Sequence, residues 1–322
     1  MDLDITIHRG EAGKPVVIFI HGLGMDKNFW TDPLGTKIFA RNIPLRVFAA
    51  SRPRPASIKS GTKLTIGSVP KKIDTLWTAL MDKGFNVLCW SQRRPVGPIN
   101  AAVEELDEVI QRARRLFPKR PVALIGHSRG GLIARKSMEM KIPLVKALIT
   151  LSTPHGGSSL SRIGKRLSPL SAFLKGLLPK DTHSTVSEVL KNLTDLLEGS
   201  ALKELIPGSD FFMDLKDSPA DGIKYMSFGG TRTELLTLYK WKKQGNKLYP
   251  KPLVTIPDSL IKIFPASVLP DELKPGKGDF MVTAESSVMP WAERHMNLPV
   301  NHISIIWNRR VINSVTEVLE GI

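Results

Sequence analysis

The stretch Val122-Ala-Leu-Ile-Gly-His-Ser-Arg-Gly-Gly131 constrains this chain more than any other. Its apolar, partly β-branched run from Val122 to Ile125 leads straight into Gly126-His127-Ser128-Arg129-Gly130, and a helical pattern follows from Leu132 to Met140. That is a strand, a tight turn and a helix with Ser128 at the apex. A turn sharp enough to lift a serine hydroxyl clear of a sheet leaves no room for side chains two positions to either side, which accounts for the flanking glycines. The five-residue pattern alone is common in proteins. Its place between a buried strand and a helix gives it weight.

The chain around it alternates. Pro15 to Ile20 is a continuous apolar run, as in a strand buried on both faces of a parallel sheet, and His21-Gly22-Leu23-Gly24 closes it. Ile73, Leu76, Trp77 and Leu80 are at helical spacing between Pro70 and Gly84, then Phe85 to Trp90 reads as a strand. Val103, Leu106, Ile110, Ala113 and Leu116 form one face of a second helix, whose acids precede its arginines in accord with the helix dipole. Val145 to Leu151 is another buried strand, ending at Ser152-Thr-Pro-His-Gly-Gly157. This alternation predicts an α/β chain with a mostly parallel, doubly wound sheet.

Two stretches interrupt it. Residues 25–68 exceed a normal strand-to-helix connection and read as an insertion near a substrate entrance, with Ile43 to Ala50 extended. Residues 158–220 read as a block of helices over Pro169 to Leu178, Val186 to Leu197 and Ala201 to Ile206. In the middle one, Val186, Val189, Leu190, Leu193, Leu196 and Leu197 share a face behind a Thr185/Glu188 capping box, as expected of either a packed core helix or a mobile lid over an apolar site. A strand is expected at Ile223 to Gly229, then a Lys- and Pro-rich segment without periodicity to Gly278, a short helix ending near Met296, a strand from Leu298 to Val300, and a last helix carrying Val311, Ile312, Val315, Val318 and Leu319. The expected organisation is a core of residues 1–157 and 221–322, with a basic segment inserted at about 30–70 and a helical lid or cap at 158–220.

A serine hydroxyl is a poor nucleophile at neutral pH and needs a base with a carboxylate to orient it. On an α/β sheet these follow in the order Ser, acid, His. Of seven histidines, His155, His183, His295 and His302 follow Ser128; His302 sits after a strand and before the terminal helix, and His295 is the runner-up. Asp279, in a small-residue turn opening onto an apolar run, is preferred as the acid over Asp258, Asp271, Glu272 and Glu285. An oxyanion hole needs two backbone N–H groups, expected from Arg129, the residue after the nucleophile, and from Leu23 in the loop after the first buried strand.

Together, His21-Gly-Leu-Gly24, Gly126-His-Ser-Arg-Gly130, Ser152-Thr-Pro-His-Gly-Gly157, Gly278-Asp-Phe-Met-Val282 and Asn301-His302 resemble an α/β-hydrolase of the bacterial triacylglycerol lipase and esterase type. The resemblance implies carboxylic-ester hydrolysis through an acyl-serine intermediate, with Ser128, Asp279 and His302 as the triad. An acyltransferase or thioesterase using the same triad is the alternative, and a non-enzymatic binding protein on the same fold is a third. Secreted lipases of this type often carry a calcium-ligating aspartate two residues after the catalytic histidine. Here that residue is Ser304, so neither a metal nor another cofactor is expected.

Composition narrows the partners. The net charge of +16 suits nucleic acid, anionic lipid surfaces or acidic substrates. Residues 31–72 hold nine Lys or Arg against the single acid Asp32, without aromatic interleaving or a nucleic-acid motif, so nucleic acid is not expected. The expected partners are an ester with an apolar acyl chain and, peripherally, a lipid surface. One cysteine, Cys89, and an N-terminus without the pattern of a secretory signal lead to a cytoplasmic expectation.

Overall fold

The computed structural model describes residues 2–38, 43–57, 64–160, 200–216, 218–257 and 269–322. Its centre is a seven-stranded sheet: β1 (Asp4–His8), β2 (Val16–Ile20), β3 (Asn86–Ser91), β4 (Val122–His127), β5 (Val145–Leu151), β6 (Lys224–Gly230) and β7 (Arg294–Leu298). The strand order is β1-β3-β2-β4-β5-β6-β7, and only the β1–β3 pair is antiparallel. Every residue of β2 and β4 is buried, which is why β2 is an uninterrupted apolar run and β4 is one as far as Gly126. From β2 the chain steps outward to β3, then returns to the other side of β2 with β4 and continues to β7. The strand order therefore reverses between β2 and β4. Crevices at the carboxyl ends of such strands are where open α/β sheets bind ligands.

Among the described residues, the helices of more than one turn that pack on this sheet are α1 (Leu76–Asp82), α2 (Ile99–Leu116), α3 (Arg129–Ser137) and α4 (Arg309–Glu320). The helical spacing seen from Pro70 onward becomes helix only at Leu76, because the extended Thr75 caps it: its hydroxyl accepts from Thr78 N and donates to the Trp30 carbonyl, 2.8 Å away. α2 buries Ile99, Leu106, Val109, Ile110 and Ala113. Its buried Glu105 accepts from Trp90 Nε1 and from the Arg93 amide, so the carboxylate ties the helix to the end of β3. Asn308 caps α4, whose Val311, Val315 and Leu319 enter the core. α3 begins directly at Arg129, earlier than the apolar spacing predicts, and a 3₁₀ turn over Met138–Met140 follows it.

Five sequence expectations are corrected, the first being the strand expected from Leu298 to Val300, which lies earlier in the chain as β7 and ends at Leu298. No helix ends near Met296; turns lead into β7, which pairs with β6 from Met226↔Arg294 to Gly230↔Leu298. β7 is an edge strand, so Arg-His-Met-Asn-Leu can form it without an apolar run. The Lys- and Pro-rich segment contains a hairpin, Leu236–Gln244 with Lys247–Ile256, closed by the two-residue loop Gly245-Asn246. Two short strands of the basic insertion, Leu64–Thr65 and Ala56–Ser57, flank it and complete a second, four-stranded sheet. Finally, Leu45–Ala49 is a 3₁₀ turn where extended chain is expected, and Ser200–Leu205 is 3₁₀ where a helix is expected. The expected helices over 169–178 and 186–197, and with them the lid, lie outside the described residues.

The core contains titratable groups that burial holds in their uncharged forms. Cys89 is buried, and that burial pushes its thiol pKa well up. His21, His127 and His155 are also buried, and desolvation lowers the pKa of each imidazole, that of His21 to about 4. In the unfolded chain these histidines titrate near their ordinary value, about 6.5. Below that pH the unfolded chain binds protons that the folded core refuses, so stability falls as pH drops toward the folded-state pKa. For His21 alone this amounts to about 3 kcal/mol between about pH 6.5 and about pH 4. Denaturant midpoints should therefore drop across this window, and His21→Gln should flatten the slope; an unchanged slope would contradict a neutral, buried His21. A second expectation concerns Gly131 on α3, where an added Cβ would lie 1.9 Å from Thr153 Oγ1. Gly131→Ala should cost roughly 1–3 kcal/mol by overpacking, with part recovered in the Gly131→Ala/Thr153→Ala double variant, read by thermal denaturation.

Candidate active site

The site lies at the carboxyl ends of β2 and β4, beside the point where strand order reverses. Ser128 sits between β4 and α3 with φ 54° and ψ −129°, a left-handed conformation unusual for a residue with a side chain. The backbone thereby reverses in one residue, and the serine is held at the head of the helix. The loop after β2 comes close: a Cβ on Gly22 would stand 3.0 Å from Ser128 Cβ and 3.2 Å from His127 Nδ1. Glycine at this position lets the loop backbone lie against the serine.

The loop is oriented by His21. Its Nε2 accepts from the Gln92 amide at 3.1 Å, so the proton is on Nδ1, which donates to the Gly22 carbonyl at 3.0 Å. In a trans peptide C=O and N–H point opposite ways, so this bond turns the Leu23 N–H away from His21. Neither the Leu23 N–H nor the Arg129 N–H donates a hydrogen bond among the described residues. The Arg129 side chain turns inward from the same residue: its guanidinium donates to Gln92 Oε1 at 3.1 Å and to the Gly97 carbonyl, and burial lowers its pKa to about 10.

His302 and Asp279 meet here from the far end of the chain. His302 Nδ1 lies 3.0 Å from Asp279 Oδ2, and both residues are buried. Asp279 Oδ1 accepts from the amides of Met281 and Val282 at 3.1 and 2.8 Å, in a tight turn whose Phe280 has φ 89°. The His302 amide donates to the Asp279 carbonyl at 3.0 Å, and the His302 carbonyl accepts from His127 Nε2 at 2.8 Å. The residue before Ser128 thus holds the backbone of His302, with the two imidazole centroids 4.8 Å apart. No hydrogen bond joins the Ser128 hydroxyl to His302 among the described residues; in unliganded enzymes such bonds are often long and tighten when substrate binds.

The rival residues lie elsewhere. His295 is on β7, with Nδ1 2.8 Å from Ser227 Oγ. His155 is buried with Nε2 2.9 Å from Thr150 Oγ1, and Arg135 donates to its carbonyl at 3.2 Å. Asp271 is paired with Lys274 and Lys277, and Glu285 is exposed. Glu272 is buried but accepts from Ser159 N and from the Ser158 and Ser159 hydroxyls, where it ties two loops together. Asp258 and His183 lie outside the described residues. Sequence reasoning missed His21 and His127 as positioning groups. The signal was present, since each is a histidine ending a fully buried strand or its turn, where a ring N–H needs a backbone acceptor. Among the described residues there is no cluster of His, Cys, Asp and Glu able to hold a metal ion.

Residues 70–192 match the family model described as serine aminopeptidase, S33, a span that contains Ser128 but ends before Asp279 and His302. Over 143 residues the chain is 26% identical to the GPI inositol-deacylase of Debaryomyces hansenii, covering 39% of this chain but only 14% of that protein. Among solved structures, a Bacillus licheniformis lipase in its propeptide form superposes with a TM-score of 0.54 at 16% identity, covering 98% of this chain and 53% of that one. The mature form of that lipase gives 0.49 at 16% identity, over 98% and 97% of the two chains. With the strand order, the turn at Ser128 and the match at a TM-score of 0.54 in hand, the chain has the α/β-hydrolase fold, and its residues 70–192 are similar to the serine aminopeptidase family.

Proposed function

We propose that this protein is a serine hydrolase of carboxylic esters with apolar acyl chains, working through an acyl-serine intermediate on Ser128. The observation that carries the reading is the buried Asp279–His302 pair, delivered to the strained turn that holds Ser128. Asp279, fixed by two amides, accepts the Nδ1 proton of His302 and so leaves Nε2 as the acceptor facing the serine. Ser128 Oγ attacks the ester carbonyl as His302 takes its proton. The developing oxyanion is held by the amides of Leu23 and Arg129, each worth on the order of 3 kcal/mol. His302 then protonates the departing alcohol, and a water, deprotonated by the same imidazole, releases the acid. The matched relative named as an inositol-deacylase and the lipase of like fold support acyl-ester chemistry.

A fluorophosphonate probe should label the protein once, at Ser128, and Ser128→Ala should abolish labelling and turnover. His302→Ala should lower kcat by several orders of magnitude, and the Ser128→Ala/His302→Ala pair should be little worse than either change alone, because the two act as one unit. Asp279→Asn should be nearly as severe through loss of the tautomer, while His295→Ala stays active. Retained turnover in Ser128→Ala sinks the assignment. Nitrophenyl esters of increasing acyl length, run beside acyl-thioesters and alcohol acceptors, separate hydrolysis from acyl transfer; cleavage of thioesters alone would replace the ester reading.

A further inference from the structure

The hairpin built from Leu236–Gln244 and Lys247–Ile256 carries five lysines and no acid. Its register sorts them. On one side Trp241 faces Pro250, Tyr239 faces Pro252 and Lys243 faces Leu248; there Pro250 is buried, Tyr239, Trp241 and Leu248 are half-buried, and Lys243 and Pro252 are exposed. The other face pairs Lys240 with Lys251, Lys242 with Tyr249 and Gln244 with Lys247, and all six residues are exposed. None of the five hairpin ammonium groups is in an ion pair among the described residues. Like charges directly opposite each other across strands are destabilising, so the Lys240–Lys251 pair weakens the hairpin that carries it. Two apolar side chains join this surface. Tyr249 is 39% exposed amid the lysines, and Leu253, at the bulge where the register shifts, is 47% exposed. Arg52, on the flanking insertion, is exposed and donates to the Pro250 carbonyl at 3.4 Å; Arg54 beside it is also exposed.

The hairpin also has a fixed relation to the candidate site. It leaves the carboxyl end of β6, the same end of the sheet that presents Ser128. At its base the Arg232 amide donates to the Val300 carbonyl at 3.1 Å, and Asn301 Nδ2 donates to the Glu234 carbonyl at 2.7 Å. Asn301 is the residue before His302. The base of the hairpin is therefore bonded to the loop that holds the proposed general base.

We propose that the lysine face of this hairpin is a docking surface for anionic phospholipid membranes, which sets the site at the lipid interface. Unpaired ammonium groups complement the phosphate layer, and Tyr249 and Leu253 enter the boundary between headgroups and acyl chains. The surface is chosen over a nucleic-acid site because its single exposed aromatic gives no stacking series along a strand. The ester-hydrolase reading supplies only the consequence of docking, not the docking itself.

Sedimentation of the full chain with vesicles of phosphatidylcholine, with and without a minor fraction of phosphatidylglycerol, tests this. The protein should pellet with the anionic vesicles only, and raising salt from about 0.1 M to about 1 M should release it. Lys240→Gln/Lys242→Gln/Lys247→Gln/Lys251→Gln should weaken binding at least 100-fold, at about fivefold per lysine, with hydrolysis of a soluble short-chain nitrophenyl ester unchanged. Should the fourfold variant fold poorly, Lys240→Gln/Lys251→Gln removes the repulsive pair without loading the hairpin, and should still weaken binding by over tenfold. Tyr249→Ala should weaken binding without altering its salt dependence. Equal binding to neutral vesicles, unchanged binding by either lysine variant, or tighter binding to a single-stranded oligonucleotide than to anionic vesicles overturns the proposal. Lysine-dependent vesicle binding by a protein that cleaves no ester supports the docking surface and removes the esterase reading instead.

Discussion

Everything at the carboxyl end of the sheet depends on the one-residue reversal at Ser128. A left-handed serine between β4 and α3 forces the helix to start against β2 and β5 at very short range, so small residues and exact neighbours are required on all sides. The loop after β2 must present bare backbone to the serine, as Gly22 does. Thr153, at the end of β5, must fit against Gly131 with no spare volume. A backbone conformation costing about 1–3 kcal/mol persists only where such packing overdetermines it.

The same crowding explains the histidines. His21 and His127 occupy positions where a buried ring has hydrogen-bonding duties on the backbone: one orients the Gly22 carbonyl, the other holds the His302 carbonyl. Each stays neutral because burial disfavours the charged form. Uncharged imidazoles thus help to fix the backbone around Ser128, beside the buried Asp279–His302 pair. The loop carrying His302, distant in sequence, is bonded to the nucleophile strand through one neutral group, His127, and the loop carrying Gly22 is bonded to Gln92 through another, His21.

What was legible in the sequence follows from where the determinants are local. The buried strands β2, β4 and β5 are apolar on both faces, so each can be read from its own residues. Ser128, Asp279 and His302 sit in short turns with their own composition, and the structure brings these residues to one end of the sheet. β7 was illegible because an edge strand does not need the apolar run, so Arg294 to Leu298 has none. The hairpin was obscured by Pro250 and Pro252, which argue against a strand interior, and by lysines where a half-buried strand would carry apolar residues. Its one clear local mark was Gly245-Asn246 between two runs of β-forming residues. Nothing in residues 51–68 marks them as partners of that hairpin. Their edge strands are short, and the pairing is decided by a chain segment far away.

That pairing bears on how the molecule assembles. The contact from Arg52 to the Pro250 carbonyl spans 198 positions, whereas four of the six neighbour pairs in the large sheet are strands that follow one another within it along the chain. Closing so long a loop early would forfeit chain entropy before any other contact offset it. Loop closure of this length favours a four-stranded sheet that forms late, on a core already in place, and its two-residue edge pairings are expected to open first in hydrogen exchange. Its strands meet only when both intervening chain ends are anchored, so an insertion in one of the two segments is felt by the other.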